Sequence, residues 1–281
     1  MNTPAHPTHP VGTDRATGVP RAIAWMDGRV VPASEATVPL TDDGFLRGDA
    51  VFDAVLVRGG RTHLLDAHLA RMRRSAQRLG IRLPVLRHIV TDLLAAWGPR
   101  DGAIRLIVTR NGTVRGLLEA PTWPPSITLA AIEMSWRTPL TGIKTLSYAA
   151  NQMAIRAARE RDADDALIVD DGLVLELPTG AIMLVRDGVI ATPDPSRLPI
   201  LDSITVEAIA DIAEVTFDVL TVDDLRAADE AFVVSATRPV LGVHTIVFDD
   251  NEATYPAPGP QTKTLHDAFA AAIDASLDPA S

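Results

Sequence analysis

Lys144 and Glu176 are the side chains with the most chemistry to offer in this sequence. Lys144 lies in "LTGIKTLSYAANQMAIRAA" and is one of only two lysines, the other being Lys263 near the C-terminus, against 24 arginines. Arginine stays charged at any accessible pH, whereas a lysine can be neutralised by its surroundings and become a nucleophile. Ile143 and Leu146 flank Lys144, and a helical pattern begins just beyond it. Desolvation and positive helix-end potential both disfavour an ammonium there, and a neutral amine forms a Schiff base with a carbonyl compound. A plain surface charge is the alternative that position leaves open. Glu176 sits in the apolar run "LVLELP". Strand alternation puts it on one face with Val174 and turns Leu173, Leu175 and Leu177 to the other. Such a carboxylate needs a cationic partner or a solvated face.

Two further stretches carry polar groups in suggestive order. "SITVEAIADIAE" opens a helix with Ser203 and Thr205 at its mouth, where free N–H groups and a hydroxyl suit a phosphate, or where an ordinary cap would serve as well. "HLARMRRSAQRL" carries His68, Arg71, Arg73, Arg74 and Arg78 on a helix, most of them expected on a solvated face and one or two at a ligand. Neither GxGxxG nor GxxxxGK[ST] occurs, and no spaced cluster of histidines and carboxylates suggests a metal.

The elements that must position these residues follow from pattern. "AIAWMDGRVVPA" is two apolar runs about Asp27-Gly28, a hairpin signal, and "GDAVFDAVLVRGGRTHLL" repeats it about Gly59-Gly60. "DAHLARMRRSAQRLGI" is a helix ending at Gly80, and a second runs from about Pro84 to Trp97. "AIRLIVTR" and "SITLAAIEMSW" are strands. Past "RTPLTG" come a helix from about Tyr148 with Ser147 as N-cap, strand pairs turning at Asp-Gly steps, a late strand "AFVVSAT" and a terminal helix "TKTLHDAFAAAIDA". The fold class is α+β in two domains: an N-terminal arm over 1–20, a small α+β domain over 21–136, a linker over 137–143 and a larger α+β domain over 144–281. Lys144 then sits at the seam, where small-molecule pockets tend to form.

Composition narrows the options. The 281 residues are 47% hydrophobic and 22% charged, with net charge −10; the pI is about 5.1 and the mean hydropathy +0.13. That describes a soluble globular protein without a membrane-length apolar run or a general nucleic-acid surface. The chain has no cysteine, which removes disulfides, thiolate metal sites and a cysteine nucleophile, and fits a cytoplasmic location. The first twenty residues lack the apolar core of a signal peptide.

In order and spacing these pieces resemble the fold-type IV pyridoxal-phosphate enzymes: branched-chain aminotransferases, D-amino-acid aminotransferases and 4-amino-4-deoxychorismate lyase. "RGDAVFDAVLVRGG" resembles the family's early glycine-aspartate-aromatic strand, "LLDAHLARMRRSAQRLGI" its first long helix, and "KTLSYAANQMAIRAARERDADDALIVDDGLVLE" its lysine-to-glutamate core, 32 positions from Lys144 to Glu176. "DEAFVVSAT" resembles the late strand and "GPQTKTLHDAF" the terminal helix.

The resemblance implies a role for each matching residue. Lys144 falls on the lysine that holds pyridoxal 5'-phosphate and shuttles protons, and Glu176 on the carboxylate that pairs with its pyridine nitrogen. Arg71 falls on the phosphate-binding arginine, Ile204 and Thr205 on the amides and hydroxyl that bind the same phosphate, and Tyr148 near the phenolic oxygen. Thr237 stands beside the late phosphate contact. Arg115, Arg47 and Phe52 fall at the substrate, the two arginines as carboxylate partners. Ala181, Val206 and Ala236 replace residues the family usually has, each lost neutral hydrogen bond being worth roughly 1 kcal/mol of cofactor affinity. A homodimer acting on a small anionic substrate is implied as well, with no nucleic-acid or membrane partner and no metal.

For the reaction, "RGDAVFDAVLV" and "KTLSY" look closest to the lyase, which converts 4-amino-4-deoxychorismate to 4-aminobenzoate and pyruvate for folate synthesis. An aminotransferase acting on D-amino or branched-chain amino acids is the alternative. A non-catalytic ligand-binding relative is a third possibility, and would show no covalent binding of the cofactor.

Overall fold

The structure is a computed structural model that describes residues 21–279. The arm expected over residues 1–20 lies outside the described residues. The chain forms two compact units. One comprises residues 21–122, Ile143–Tyr148 and 273–279; the other comprises Trp123–Gly142 and Ala149–Ala272.

The first unit contains β1 (Ala22–Met26), β2 (Arg29–Pro32), α1 (Asp43–Arg47), β3 (Ala50–Arg58), β4 (Arg61–Thr62), α2 (Leu65–Leu79), α3 (Arg87–Trp97), β5 (Gly102–Thr109) and β6 (Val114–Glu119). Its strands form an antiparallel sheet in the order β2-β1-β6-β5-β3-β4. The expected first hairpin is present: Asp27 and Gly28 both take positive φ, the requirement of a two-residue turn matched to strand twist. Period-two alternation sends Val51, Val55 and Val57 of β3 and Ile104, Leu106 and Val108 of β5 to one face, where they form a core with Met72 and Ala76 of α2 and Ile89 and Leu93 of α3. Each such side chain, fully buried, contributes about 1.5–3 kcal/mol. The opposite face of the sheet carries Phe52 of β3, Arg105 and Ile107 of β5 and Arg115 of β6, with Phe52 and Arg115 both in register with Ile107. Helix α2 ends where expected, at Gly80 in the left-handed conformation.

The second unit contains β7 (Ile127–Glu133), α4 (Ala149–Arg159), β8 (Asp165–Asp170), β9 (Leu173–Val174), β10 (Ala181–Arg186), β11 (Val189–Pro193), α5 (Ile204–Ala210), β12 (Val215–Asp218), α6 (Val222–Arg226), β13 (Glu230–Ser235), β14 (Arg238–Val247) and β15 (Glu252–Thr254), and α7 (Pro260–Ala275) begins in it. Its mixed sheet runs β12-β11-β10-β13-β14-β7-β8-β9, with β15 on β14. The Asp171-Gly172 and Asp187-Gly188 steps turn as expected, all four residues at positive φ. Beyond β9 the backbone stays paired with β8, and the bridge Leu177↔Gly180 carries it into β10, so the sheet curls back on itself. One core lies among Leu129, Leu167, Val174, Leu177, Ile182 and Val233; a second, with Ala154 and Ala158 of α4, includes Ala130, Ile168 and Leu175.

Two local expectations are corrected here. Val174 and Leu177 share one core while Leu175 joins the other. Simple alternation therefore fails at Glu176, because the strand twists into the turn that closes on Gly180. Helix α5 stops at Ala210 although the apolar pattern runs on, since Val215–Asp218 is taken up by parallel pairing with β11. Among the described residues, no helix is long and apolar enough to cross a membrane.

Candidate active site

In the first unit, Lys144 is held by its backbone. The segment around it lies beside the start of β3: the Phe52 amide donates to the Lys144 carbonyl (3.1 Å) and the Leu146 amide to the Ala50 carbonyl (3.0 Å). The Lys144 amide donates to Ser75 Oγ on α2 (3.1 Å). Gly48 lets this segment approach: a Cβ there would lie 2.9 Å from Ser147 Oγ, and its φ of +70° is left-handed. Ser147, expected as a helix cap, turns its hydroxyl to the Gly48 carbonyl (3.2 Å). So fixed, the Lys144 amine lies 4.8 Å from the centroid of the Phe52 ring. Tyr148 stands edge-on to the same ring, centroids 5.3 Å apart.

Arg71 is the one arginine of its helix cluster that is buried; Arg73, Arg74 and Arg78 are exposed. It donates through Nε to Asp53 Oδ2 (2.9 Å) and through Nη2 to Asp53 Oδ1 (2.7 Å), while His68 Nδ1 lies 2.9 Å from Oδ1. Burial works to raise the Asp53 carboxyl, but the Arg71 charge and the His68 and Arg71 hydrogen bonds outweigh it and hold Asp53 well below the usual carboxylate range.

The other arginines expected at a substrate differ sharply. Arg47 pairs with Asp43 within α1 and its side chain is 67% exposed. Arg115 is engaged by Asp27 (3.0 Å) and by the Thr37 carbonyl (2.7 Å). Arg105, which the sequence reading passed over, shares the Phe52 face of the sheet. Its guanidinium carbon lies 5.7 Å from the Phe52 centroid, and its buried Nε has no hydrogen-bond partner.

In the second unit, Glu176 is gripped at both oxygens. The Trp136 indole donates to Oε1 (2.9 Å) and the Leu201 amide to Oε2 (3.1 Å). Sequence reading also missed Trp136, which sits in the stretch just ahead of the expected linker. Ile204 and Thr205 are buried at the start of α5, where Ser203 accepts from the Val206 amide (3.4 Å). Ala236 and Thr237 form the whole turn between β13 and β14, since Ser235 already pairs with Arg238. The Thr237 carbonyl accepts from the Trp123 indole (2.8 Å). Ala181 opens β10 opposite Val234.

The fold agrees with what known proteins show. Residues 50–246 match the family Amino-transferase class IV. A putative branched-chain-amino-acid aminotransferase of Methanocaldococcus jannaschii is 30% identical over 277 residues, covering 87% of this chain and 94% of the relative. A bifunctional aminodeoxychorismate lyase / D-amino acid transaminase of Mycobacterium tuberculosis is 29% identical, covering 80% and 91%. Among solved structures, the PLP-bound form of a hypothetical aminotransferase from Mycobacterium tuberculosis is similar with a TM-score of 0.77 at 25% identity, over 90% of this chain and 99% of that one. With its match spanning most of the chain, this protein belongs to the class IV aminotransferase family, enzymes of fold-type IV that depend on pyridoxal 5'-phosphate.

Proposed function

We propose that this protein is an amino-acid aminotransferase of the class IV type. The residues present fit the cofactor: an amine on an anchored backbone, a carboxylate whose oxygens are both oriented, and a buried guanidinium with a rigid fork suited to phosphate. When bound, pyridoxal phosphate supplies an electron sink for the bond beside the substrate's amine. Lys144 would hold the cofactor through Nζ and would move a proton at that same atom. Glu176 would hold the ring nitrogen; Arg71, Ile204 and Thr205 would hold the phosphate, with Thr237 beside them, and Tyr148 would serve the phenolic side. Arg105, on the face with Phe52, takes the substrate's carboxylate.

The observation that carries the choice of reaction is the state of the arginines. A dicarboxylate substrate calls for two cationic partners at the site, yet Arg47 is an exposed surface charge and Arg115 is held by Asp27 and the Thr37 carbonyl, whereas Arg105 lies on the Phe52 face. One available arginine fits a monocarboxylate amino acid, of the D- or branched-chain kind that the relatives' names give. Lyase activity on 4-amino-4-deoxychorismate is the second reading, favoured by the bifunctional mycobacterial relative. It requires Arg115 to exchange Asp27 for substrate. Supplying the protein and added cofactor with D-alanine or a branched-chain amino acid plus a monocarboxylate 2-oxo acid such as 2-oxobutanoate, and separately with 4-amino-4-deoxychorismate and no keto acid, distinguishes them. Amino-group transfer in the first arm supports the aminotransferase; 4-aminobenzoate and pyruvate in the second support the lyase; neither, with no cofactor held, leaves a binding protein.

The same proposal includes a homodimer. Val38, Leu40, Phe45 and Leu46 are large apolar side chains that this chain leaves exposed, within one short stretch. Light scattering at a mass of one chain would contradict it.

A further inference from the structure

Strand β3 carries a carboxylate where its own pattern calls for an apolar side chain. Val51, Val55 and Val57 all face the helices and are fully buried, and alternation puts Asp53 in the same row. Asp53 is 1% exposed. A lone carboxylate at such a position is costly, and helix α2 answers it with two residues one turn apart, His68 and Arg71. The contact to Arg71 is fork to fork, two parallel N–H···O bonds that fix the plane of the guanidinium as well as its distance. One turn further along α2, Ser75 holds the Lys144 backbone. The helix face that fixes the lysine segment thus also fixes the arginine.

We propose that Asp53 is a positioning residue for the cofactor's phosphate: by gripping the Nε–Nη2 edge of Arg71, it aims the guanidinium and makes phosphate recognition directional. This rests on the reading of Arg71 as the phosphate partner. Two effects of Asp53 oppose each other. Its negative charge repels a phosphate, while its grip removes the rotamer freedom that Arg71 would otherwise lose on binding. Positioning dominates.

The test compares pyridoxal phosphate with pyridoxal, which has the same aldehyde and ring but no phosphate. Both are titrated into cofactor-free protein and followed by the visible absorbance of the lysine-bound form. In the Asp53→Asn variant, the preference for the phosphorylated aldehyde narrows by about ten- to a hundredfold, the scale of a charge-assisted hydrogen bond, with affinity for pyridoxal little changed. Arg71→Gln narrows it similarly, and the double variant loses little more. Asp53→Glu keeps the charge, displaces the carboxylate by one methylene and also narrows the preference, which covers the case in which Asp53→Asn does not fold. A folded variant whose preference is unchanged or widened overturns the positioning role alone. Wild-type protein that captures neither aldehyde overturns the cofactor reading, and this proposal with it.

Discussion

Trp136 donates its indole N–H to Glu176 Oε1 at 2.9 Å, and with the Leu201 amide on Oε2 it fixes the plane of that carboxylate. Trp136→Phe keeps most of the ring volume and removes the donor. A hydrogen bond to a charged group is worth about 1.5–3 kcal/mol. Part of that is recovered by water, so kcat/KM should fall roughly tenfold with KM for the amino acid little changed. Steady-state kinetics at saturating cofactor check this.

Arg105 and Arg47 separate a substrate contact from a surface charge. Arg105→Met should raise KM for the amino acid about tenfold or more while cofactor binding stays intact, because a carboxylate loses a charge-assisted partner. Arg47→Ala should change either parameter by less than about twofold, since exposed ion pairs contribute about 0–1 kcal/mol. Reversal of the two results would move the carboxylate site to α1.

The pair between Arg238 and Asp165 is a stability element of the second unit. Both side chains are buried, their closest approach is 3.5 Å and the Arg238 Nε has no partner. Burial pushes the Asp165 carboxyl up and the Arg238 guanidinium down, so neither charge is fully compensated. Asp165→Asn leaves Arg238 stranded and should cost about 3–5 kcal/mol in urea unfolding, and Asp165→Asn with Arg238→Met should recover most of it.

His63 gives the fold a pH dependence with a definite sign. Burial lowers its pKa, with His68 and Arg58 adding to the effect and Asp278 opposing it. The folded chain therefore keeps the imidazole neutral at pH values where the unfolded chain protonates. Its contribution to stability is complete above about pH 6.5 and is lost as pH falls through the depressed value. Unfolding midpoints at pH 7.5 and 5.5 should differ less for His63→Gln than for the native chain.

What the sequence could reveal followed locality. Asp27-Gly28, Asp171-Gly172 and Asp187-Gly188 were legible as turns because two adjacent residues contain the whole requirement for positive φ. Lys144, Glu176 and Arg71 stood out through rarity, an apolar setting and a family pattern. Asp53, Trp136 and Arg105 were missed because their partners lie 15 to 40 positions away or on another strand, as with Asp53 and His68 or Trp136 and Glu176. The signal for Asp53 was nonetheless there: a carboxylate in "AVFDAVLV" poses the question that was asked of Glu176 in "LVLELP". The bend at Glu176 and the early end of α5 had no local signal, since strand pairing elsewhere in the sheet decides both.

Because the chain has only two lysines, the central claim can be tested at a single atom. The cofactor-loaded protein is treated with borohydride, digested, and its peptides are sequenced by mass spectrometry. A phosphopyridoxyl group on the peptide bearing Lys144, and none on that bearing Lys263, is the predicted result. Label on Lys263, or no stable label despite added cofactor, would contradict the account.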